Sequence, residues 1–226
     1  MVINTNISAQ TTATLLSQSS ALLSKSLARL SSGSKITSPA DDSAGLAVSM
    51  NLTAQISRNT AASNNIANAN SFNQTQDGYL AQVTSALDRM SELAIQAQDV
   101  TKSSSDRALY DKEFQTLAAY VNNVATKDFN GVSLFDGGPT GAGLDVTIDS
   151  DGNTFNMAGV DLTTAAFTSL TSNGVTSISD AAAALTAVKS AISEVATDRA
   201  TLGANEEALD NYSGQLATLN NNLAAA

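Results

Sequence analysis

The chain has 226 residues, of which 42% are hydrophobic and only 4% aromatic, and its net charge is −10. Because it contains neither Cys nor His, disulfide bonds, the common metal sites and Ser/His/Asp triads are excluded, and we expect neither a cofactor nor an enzyme. The acidic balance without a basic patch argues against a nucleic-acid partner, and no apolar run is long enough for a membrane span.

The first predicted element is a helix over residues 1–31. Its apolar positions are spaced by three and four residues, which is typical of a coiled-coil seam, interrupted only at Ser20. One interpretation is an ordinary helix packed in a bundle. The other is a helix buried on most sides against copies of itself or against a partner, because its remaining faces carry small polar residues and few charges. The self-assembly residues of this seam are predicted to be Leu16, Leu23, Leu27 and Leu30.

The helical pattern then breaks at a joint, residues 34–42. Gly33 is expected to end the helix, Pro39 disfavours helix at the residue before it, and Asp41 or Asp42 is expected to cap the next helix. Neighbouring carboxylates point in different directions, so capping is favoured over paired acid–base catalysis. Residues 1–40 contain three bases and no acid, whereas the remainder holds all 21 acids. The joint therefore separates segments with different surroundings.

Two further helices and a hairpin are predicted up to residue 137. Residues 43–99 contain no proline and show an apolar run from Leu80 to Ala97 with helical spacing. Ser103 and Asp106 predict the capped start of a third helix, which extends into the 120s. The Asn130-Gly131 pair, with apolar residues on either side, is the strongest hairpin signal in the chain.

The last third changes character twice. Residues 138–178 alternate apolar and polar positions around the turn "DSDGN", which predicts a small β insertion. The turn does not fit a calcium loop, because the first and last ligand positions of such a loop would fall on Thr147 and Ala158. From about residue 179 to 224, apolar residues recur every seven positions from Val188 to Leu223, which predicts one long helix.

These elements predict a mainly α fold. We expect an elongated antiparallel helical rod of long coiled-coil-like helices, with a small β-hairpin element at one end. The helix that precedes the joint is expected to occupy a different environment from the rod.

Several motifs resemble those of the bacterial flagellins. The segments "INTNISA", "LARLSSGSKITSPADDSAGLAVS", "LDRMSELAIQA" and "FNGVSLF" stand in that family's order and separation, and "LGANEEALDNYSGQLATLNNNL" is similar to its C-terminal rod helix. The resemblance covers residues 1–137 and 179–223. Pro39 departs from it, because a helix-compatible residue is expected at that position. The family's chain also continues beyond "NNNLAAA" into a helix that pairs with the N-terminal one.

The resemblance implies a function and a division into domains. The chain is expected to be a structural subunit that self-assembles into the flagellar filament for swimming motility. Residues 1–33 would form an inner-core helix, 34–42 a spoke linker, 43–137 with 179–226 an outer-core rod, and 138–178 a variable insertion. A hook-associated junction protein is the alternative within the same organelle, and an intracellular coiled-coil adaptor is an alternative outside it.

The resemblance also implies partners and a location. The subunit is expected to be exported by the flagellum's own type III apparatus, assembled under the filament cap, and located in the extracellular flagellum. The homo-oligomer is its main expected partner. Arg89, Leu93 and Glu113 match positions through which flagellins contact a Toll-like innate receptor, and filament contacts with a solvated face are the alternative role for these positions.

Overall fold

The computed structural model describes residues 6–136 and 143–226. Expectations for residues 1–5 and 137–142, which include the start of the first predicted helix, lie outside these ranges. The chain divides into two units, Met1–Gln55 and Ile56–Ala226. The helix Ser43–Ala97 contributes to both of them.

Unit 1 contains a long helix and the joint. Helix α1 (Ile7–Ser32) begins after Asn6, whose side-chain oxygen accepts a hydrogen bond from the amide of Ala9 at 3.1 Å. It ends at Gly33, whose φ of 67° lies in the left-handed region that glycine adopts without strain. Helix α2 (Ser43–Ala97) follows the joint.

Unit 2 is built on an antiparallel pair formed by α2 and α5 (Ile178–Ala225). Side-chain hydrogen bonds between the two helices follow a single antiparallel register: as the residue numbers increase along α2, those of the partners decrease along α5. These bonds join Asn59 to Asn220, Asn70 to Asp210, Gln74 to Glu206, Asp77 to Arg199, and Gln98 to the carbonyl of Ala181.

The seven-residue repeat of α5 faces the core. Its buried members are Val188, Val195, Leu202, Leu209 and Leu216. Helix α3 (Ser104–Ala125) starts at the predicted capping box, in which Ser103 and Asp106 bond each other's backbone amides. Its buried residues, among them Phe114 and Val121, belong to the same core as those of α2 and α5.

A tight hairpin follows α3. Strands β1 (Asp128–Phe129) and β2 (Val132–Ser133) pair in antiparallel fashion. Both turn residues have positive φ, 53° at Asn130 and 81° at Gly131, as a type I′ turn requires. The ring of Phe129 meets that of Phe72 edge-on at 5.9 Å, which fixes the hairpin to α2.

The segment before α5 is only partly β. Strands β3 (Leu144–Thr147) and β4 (Thr154–Met157) form the expected antiparallel pair. The prediction was incomplete beyond them, because residues Ala165–Ser172 form helix α4, which buries Phe167 and Leu170. These two residues are spaced by three, and so short a helical pattern was hidden among threonines and serines. The insertion therefore shares the core of unit 2.

The fold class is confirmed. The chain is mainly α, with long antiparallel helices and small antiparallel β elements. The β3–β4 turn lies beside the start of α2 within unit 2, where Arg58 Nε donates to the carbonyl of Ser150 at 3.1 Å. Helices α3 and α4 pack against each other, and α4 packs against α5.

Candidate self-assembly surface

The leucine seam of α1, which comprises Leu16, Leu23, Leu27 and Leu30, is exposed in the single chain. Their exposed fractions are 71%, 61%, 56% and 82%, and α1 has no buried residue. Spacings of seven, four and three residues place the four side chains on one face of the helix. Leu15 and Leu22 are also exposed and widen this face. An apolar face of this size is typical of a protein–protein contact.

The energy available from covering this face is considerable. Burial of one leucine side chain stabilises a complex by roughly 1.5 to 3 kcal/mol. The same leucine repeated in many copies multiplies that contribution, whereas the entropy of association opposes it in every copy. The seam is therefore suited to assembly, and the described residues of unit 1 do not bury it.

The joint is held against α1 by Asp41. Its carboxylate contacts Lys25 Nζ at 2.5 Å and Arg29 Nη2 at 3.9 Å. It also accepts hydrogen bonds from the hydroxyl of Thr37 at 3.1 Å and from the amide of Thr37 at 3.4 Å. The hydrogen bond from Lys25 and those from Thr37 lower the pKa of Asp41 to about 2. We refer to Asp41, Lys25, Arg29 and Thr37 as the Asp41 cluster.

Asp42 has a separate role. Its Oδ1 accepts a hydrogen bond at 2.8 Å from the amide of Gly45, in the first turn of α2, so Asp42 and not Asp41 caps that helix. A Cβ at Gly45 would clash with the Asp42 carboxylate and approach Ile36. Pro39 lies in the turn between the two helices. The two neighbouring carboxylates therefore have different partners, and they do not form an acid–base pair.

The three residues compared with a receptor contact surface separate into two groups. Arg89 Nε and Nη2 donate to the two carboxylate oxygens of Glu113 at 2.7 and 3.2 Å, and Arg89 Nη1 also donates to Glu92 at 2.9 Å. These bonds raise the pKa of Arg89 and lower that of Glu113. Leu93 was wrongly placed on this surface, because it is fully buried in the core of unit 2. Its helical neighbour Met90 faces the same core.

One feature of the surface was missed from the sequence. Gly78 and Gly203 line a common recess between α2 and α5. From the sequence, each glycine predicts only a local loss of stability in its own helix. The register of the pair places them side by side, and that register depends on contacts between residues more than 120 apart in the chain.

The described residues give no sign of a metal centre or of a membrane helix. Within residues 6–136 and 143–226, no three acidic side chains are grouped so that they could hold a metal ion. No helix in the same ranges is both long and apolar enough to cross a bilayer.

Comparison with known proteins places the chain among flagellar proteins. Residues 3–140 match the family model described as the bacterial flagellin N-terminal helical region. Flagellin A of Vibrio anguillarum is 40% identical over 138 residues, which are 61% of this chain and 36% of that protein. The flagellin of Halalkalibacterium halodurans is 33% identical over 212 residues, which are 89% of this chain and 75% of that protein.

Solved structures agree with this comparison. The crystal structure of Bacillus cereus flagellin has a TM-score of 0.57 at 29% identity, and the match covers 68% of this chain and 88% of that one. A flagellar hook-associated protein from Vibrio parahaemolyticus has a TM-score of 0.69, covering 83% of this chain and 98% of that one. Its identity of 17% supports the fold alone. The match spans only 36% of the length of the Vibrio flagellins.

Proposed function

The chain belongs to the bacterial flagellin family, and we propose that it is a structural subunit that self-assembles into the flagellar filament for swimming motility. The observation that carries the proposal is the leucine seam of α1, which has no partner in its own chain among the described residues. A filament subunit needs such a face, because contacts with neighbouring copies must hold it in place.

The proposed roles of the segments follow the family. Residues 1–33 form the inner core of the filament, 34–42 the spoke, and 43–137 with 179–226 the outer core, with 138–178 as a short insertion between them. The Asp41 cluster supports the spoke assignment, because it gives the joint a defined structure against α1. The polar and acidic surface of unit 2 suits a layer with more contact with water.

The remaining partners are proposed on the same basis. The subunit leaves the cell through the flagellar export apparatus and joins the filament at its cap, so that its place is the extracellular flagellum. It has a structural role and no catalytic one. Arg89 and Glu113, without the buried Leu93, form the surface that an innate receptor of the Toll-like class would contact.

A hook-associated junction protein is the second candidate. The fold match to the Vibrio parahaemolyticus protein, with its TM-score of 0.69, is the observation that favours it. Immunogold labelling of isolated flagella with an antibody against the chain separates the two functions. We expect gold particles along the whole filament, whereas label confined to the junction with the hook would support the alternative and contradict the filament subunit.

A further inference from the structure

The recess between α2 and α5 is open to the outside and is not required by the fold of the chain. It has a volume of about 390 Å³. Neither Gly78 nor Gly203 has a positive φ, and a Cβ added at either glycine would meet no atom within 4 Å. The lining residues are Asn73, Gln74, Asp77, Gly78, Arg199, Leu202, Gly203 and Glu206.

The two glycines lack an explanation within their own chain. Glycine in the interior of a helix is less stable than alanine, and it is normally retained where the backbone needs a positive φ or where another group approaches closely. The first reason does not apply at either position, and no group of the chain's described part approaches them. The remaining reason is an approach by another molecule.

A buried amide points to the chemistry of that molecule. Asn73 is 2% exposed and lines the recess. Its Nδ2 donates weakly to the carbonyl of Leu202 at 3.4 Å, and its Oδ1 has no hydrogen-bond partner. Because buried polar atoms are nearly always paired, this oxygen calls for a donor from outside the chain.

The charges of the recess favour a cationic donor. Asp77 is neutralised by a two-point contact with Arg199 at 2.7 and 3.2 Å. Glu206 accepts one hydrogen bond from Gln74 at 3.1 Å, and it has no ion-pair partner in the described part of the chain. The recess therefore keeps an uncompensated carboxylate beside the free oxygen of Asn73.

The basic side chains of the chain itself indicate which residue type can supply the donor. All five arginines already have a hydrogen-bond or ion-pair partner within the chain: Arg29, Arg58, Arg89, Arg107 and Arg199. Among the lysines of unit 2, Lys112 and Lys189 are exposed, and neither has a salt bridge within residues 6–136 and 143–226. These two lysines are available for contacts between copies.

We propose that the recess between Gly78 and Gly203 receives a lysine side chain from a second copy of the chain, with Lys112 and Lys189 as the candidates. The lysine ammonium would donate to Asn73 Oδ1 and pair with Glu206, and the two glycines provide room for its methylene chain. This inference rests on the proposed filament function, because the donor belongs to a neighbouring subunit. It assigns a contact surface to unit 2 that is separate from the leucine seam of α1.

The first test fills the recess with side chains of increasing size. Gly78→Ala and Gly203→Ala leave most of the space open, whereas Gly78→Met and Gly203→Met occupy it. Ala204→Met is the matched control, because Ala204 is exposed on α5 next to Gly203 and does not line the recess. Circular dichroism of the monomers checks that each variant is folded, and sedimentation of polymer seeded with sheared filaments gives the critical concentration.

We expect both Met variants to raise the critical concentration by about tenfold or more, the Ala variants to raise it by a smaller factor, and Ala204→Met to stay within about twofold. Assembly of folded Met variants at the wild-type concentration would overturn the inference and leave the filament function intact. Ala variants that fail as completely as the Met variants would also overturn it, because the glycines would then serve helix flexibility. Failure of the wild-type chain to assemble would overturn both proposals.

The second test identifies the lysine. A zero-length carbodiimide reagent joins a carboxylate to an amine that forms an ion pair with it, and mass spectrometry locates the linked peptides. We expect a Glu206–lysine link between copies in assembled wild-type filaments, and its absence in monomers and in filaments of Glu206→Gln. A link lost in Lys112→Gln or in Lys189→Gln identifies the donor. Assembled filaments without any link at Glu206 would contradict the lysine assignment.

Discussion

Asn59 and Asn220 stand 161 positions apart in the chain and meet side chain to side chain, with Asn59 Nδ2 donating to Asn220 Oδ1 at 2.9 Å. Asn59 is fully buried, so its amide has little access to water. Polar pairs in a helical seam favour one register, because a shifted register leaves them unpaired. This pair thus helps to fix the alignment of α2 with α5 on which the rest of unit 2 depends.

Because this pair helps to fix the register, replacement of Asn220 should destabilise the fold more than replacement of its neighbour Asn221. Asn220→Ala should lower the free energy of unfolding by about 1 to 3 kcal/mol, because it leaves the buried amide of Asn59 without its partner. Asn221→Ala is the matched control: Asn221 is exposed on the same helix turn, and we expect a change below about 0.5 kcal/mol. Urea denaturation followed by circular dichroism measures both values. Equal effects of the two substitutions would contradict the assigned role.

The open recess predicts that two glycines can be replaced with a gain in stability. Gly78→Ala and Gly203→Ala should each raise the free energy of unfolding by roughly 0.5 to 1 kcal/mol, because the added methyl meets nothing and alanine favours helix. Gly143→Ala is the contrasting variant. Its φ of 90° and the closeness of the Met157 carbonyl leave no room for a Cβ, so thermal melts should show a loss there.

The carboxyl of Asp198 predicts a pH dependence. Burial, together with the nearby carboxylates of Glu194 and Asp161, raises the pKa of Asp198 to about 6, and its Oδ2 has no hydrogen-bond partner. The folded chain therefore retains this proton up to about pH 6, whereas the unfolded chain releases it near the ordinary aspartate value. Stability accordingly falls as pH rises through this window and stays lower above it.

Asp198→Asn should remove that loss. Because the carboxyl is partly solvated, we expect the variant to be more stable than the wild type by about 1 to 2 kcal/mol at neutral pH and to differ little at pH 4. Thermal melts across this range give the comparison, and Glu207→Gln at an exposed position of the same helix is the control. A benefit of Asp198→Asn that is the same at both ends of the range would show that charge is not its cause.

The Asp41 cluster predicts a joint that depends on charge. The pKa of Asp41 in the folded chain is about 2, below the ordinary aspartate value. The stability that Asp41 contributes is therefore complete above the ordinary aspartate pKa, and it is lost as the pH falls from that value toward 2. Asp41→Asn should increase amide hydrogen exchange at Thr37, whose N–H bonds the carboxylate. Asp41→Glu, which keeps a carboxylate acceptor at this position, should retain part of the protection. Unchanged hydrogen exchange at Thr37 in Asp41→Asn would contradict the claim that the Asp41 cluster holds the joint against α1.

Much of the fold could be predicted from local patterns. The Gly33 stop, the Ser103 capping box and the Asn130-Gly131 turn depend on neighbouring residues, and the structure has each of them. The seven-residue repeat of α5 was visible because it extends over most of a 48-residue helix. Helix α4 was not visible, because its eight residues span barely two turns and most of them are small or polar.

The site could be predicted less completely, for two physical reasons. The spacing of Leu93 from the other apolar residues of α2 fits either the buried or the exposed face of that helix. Only the packing of α3 and α5 decides that Leu93 is buried. The recess needs Gly78 and Gly203 at the same level, which follows from pairs such as Asp77 with Arg199 and cannot be deduced from one helix alone. The exposed leucine seam, by contrast, could be predicted from the sequence, because its spacing is regular and few charged residues interrupt it.

The central claim is that the leucine seam of α1 drives assembly. Electron microscopy of the wild-type chain and of the variant Leu23→Ala, Leu27→Ala, Leu30→Ala, both seeded with sheared filaments, tests it most directly. Each lost leucine removes roughly 1.5 to 3 kcal/mol of possible burial between copies, while unit 2 contains none of the three positions. We expect wild-type filaments and a folded, helical variant that forms none. Filaments of normal length from the triple variant would contradict the account.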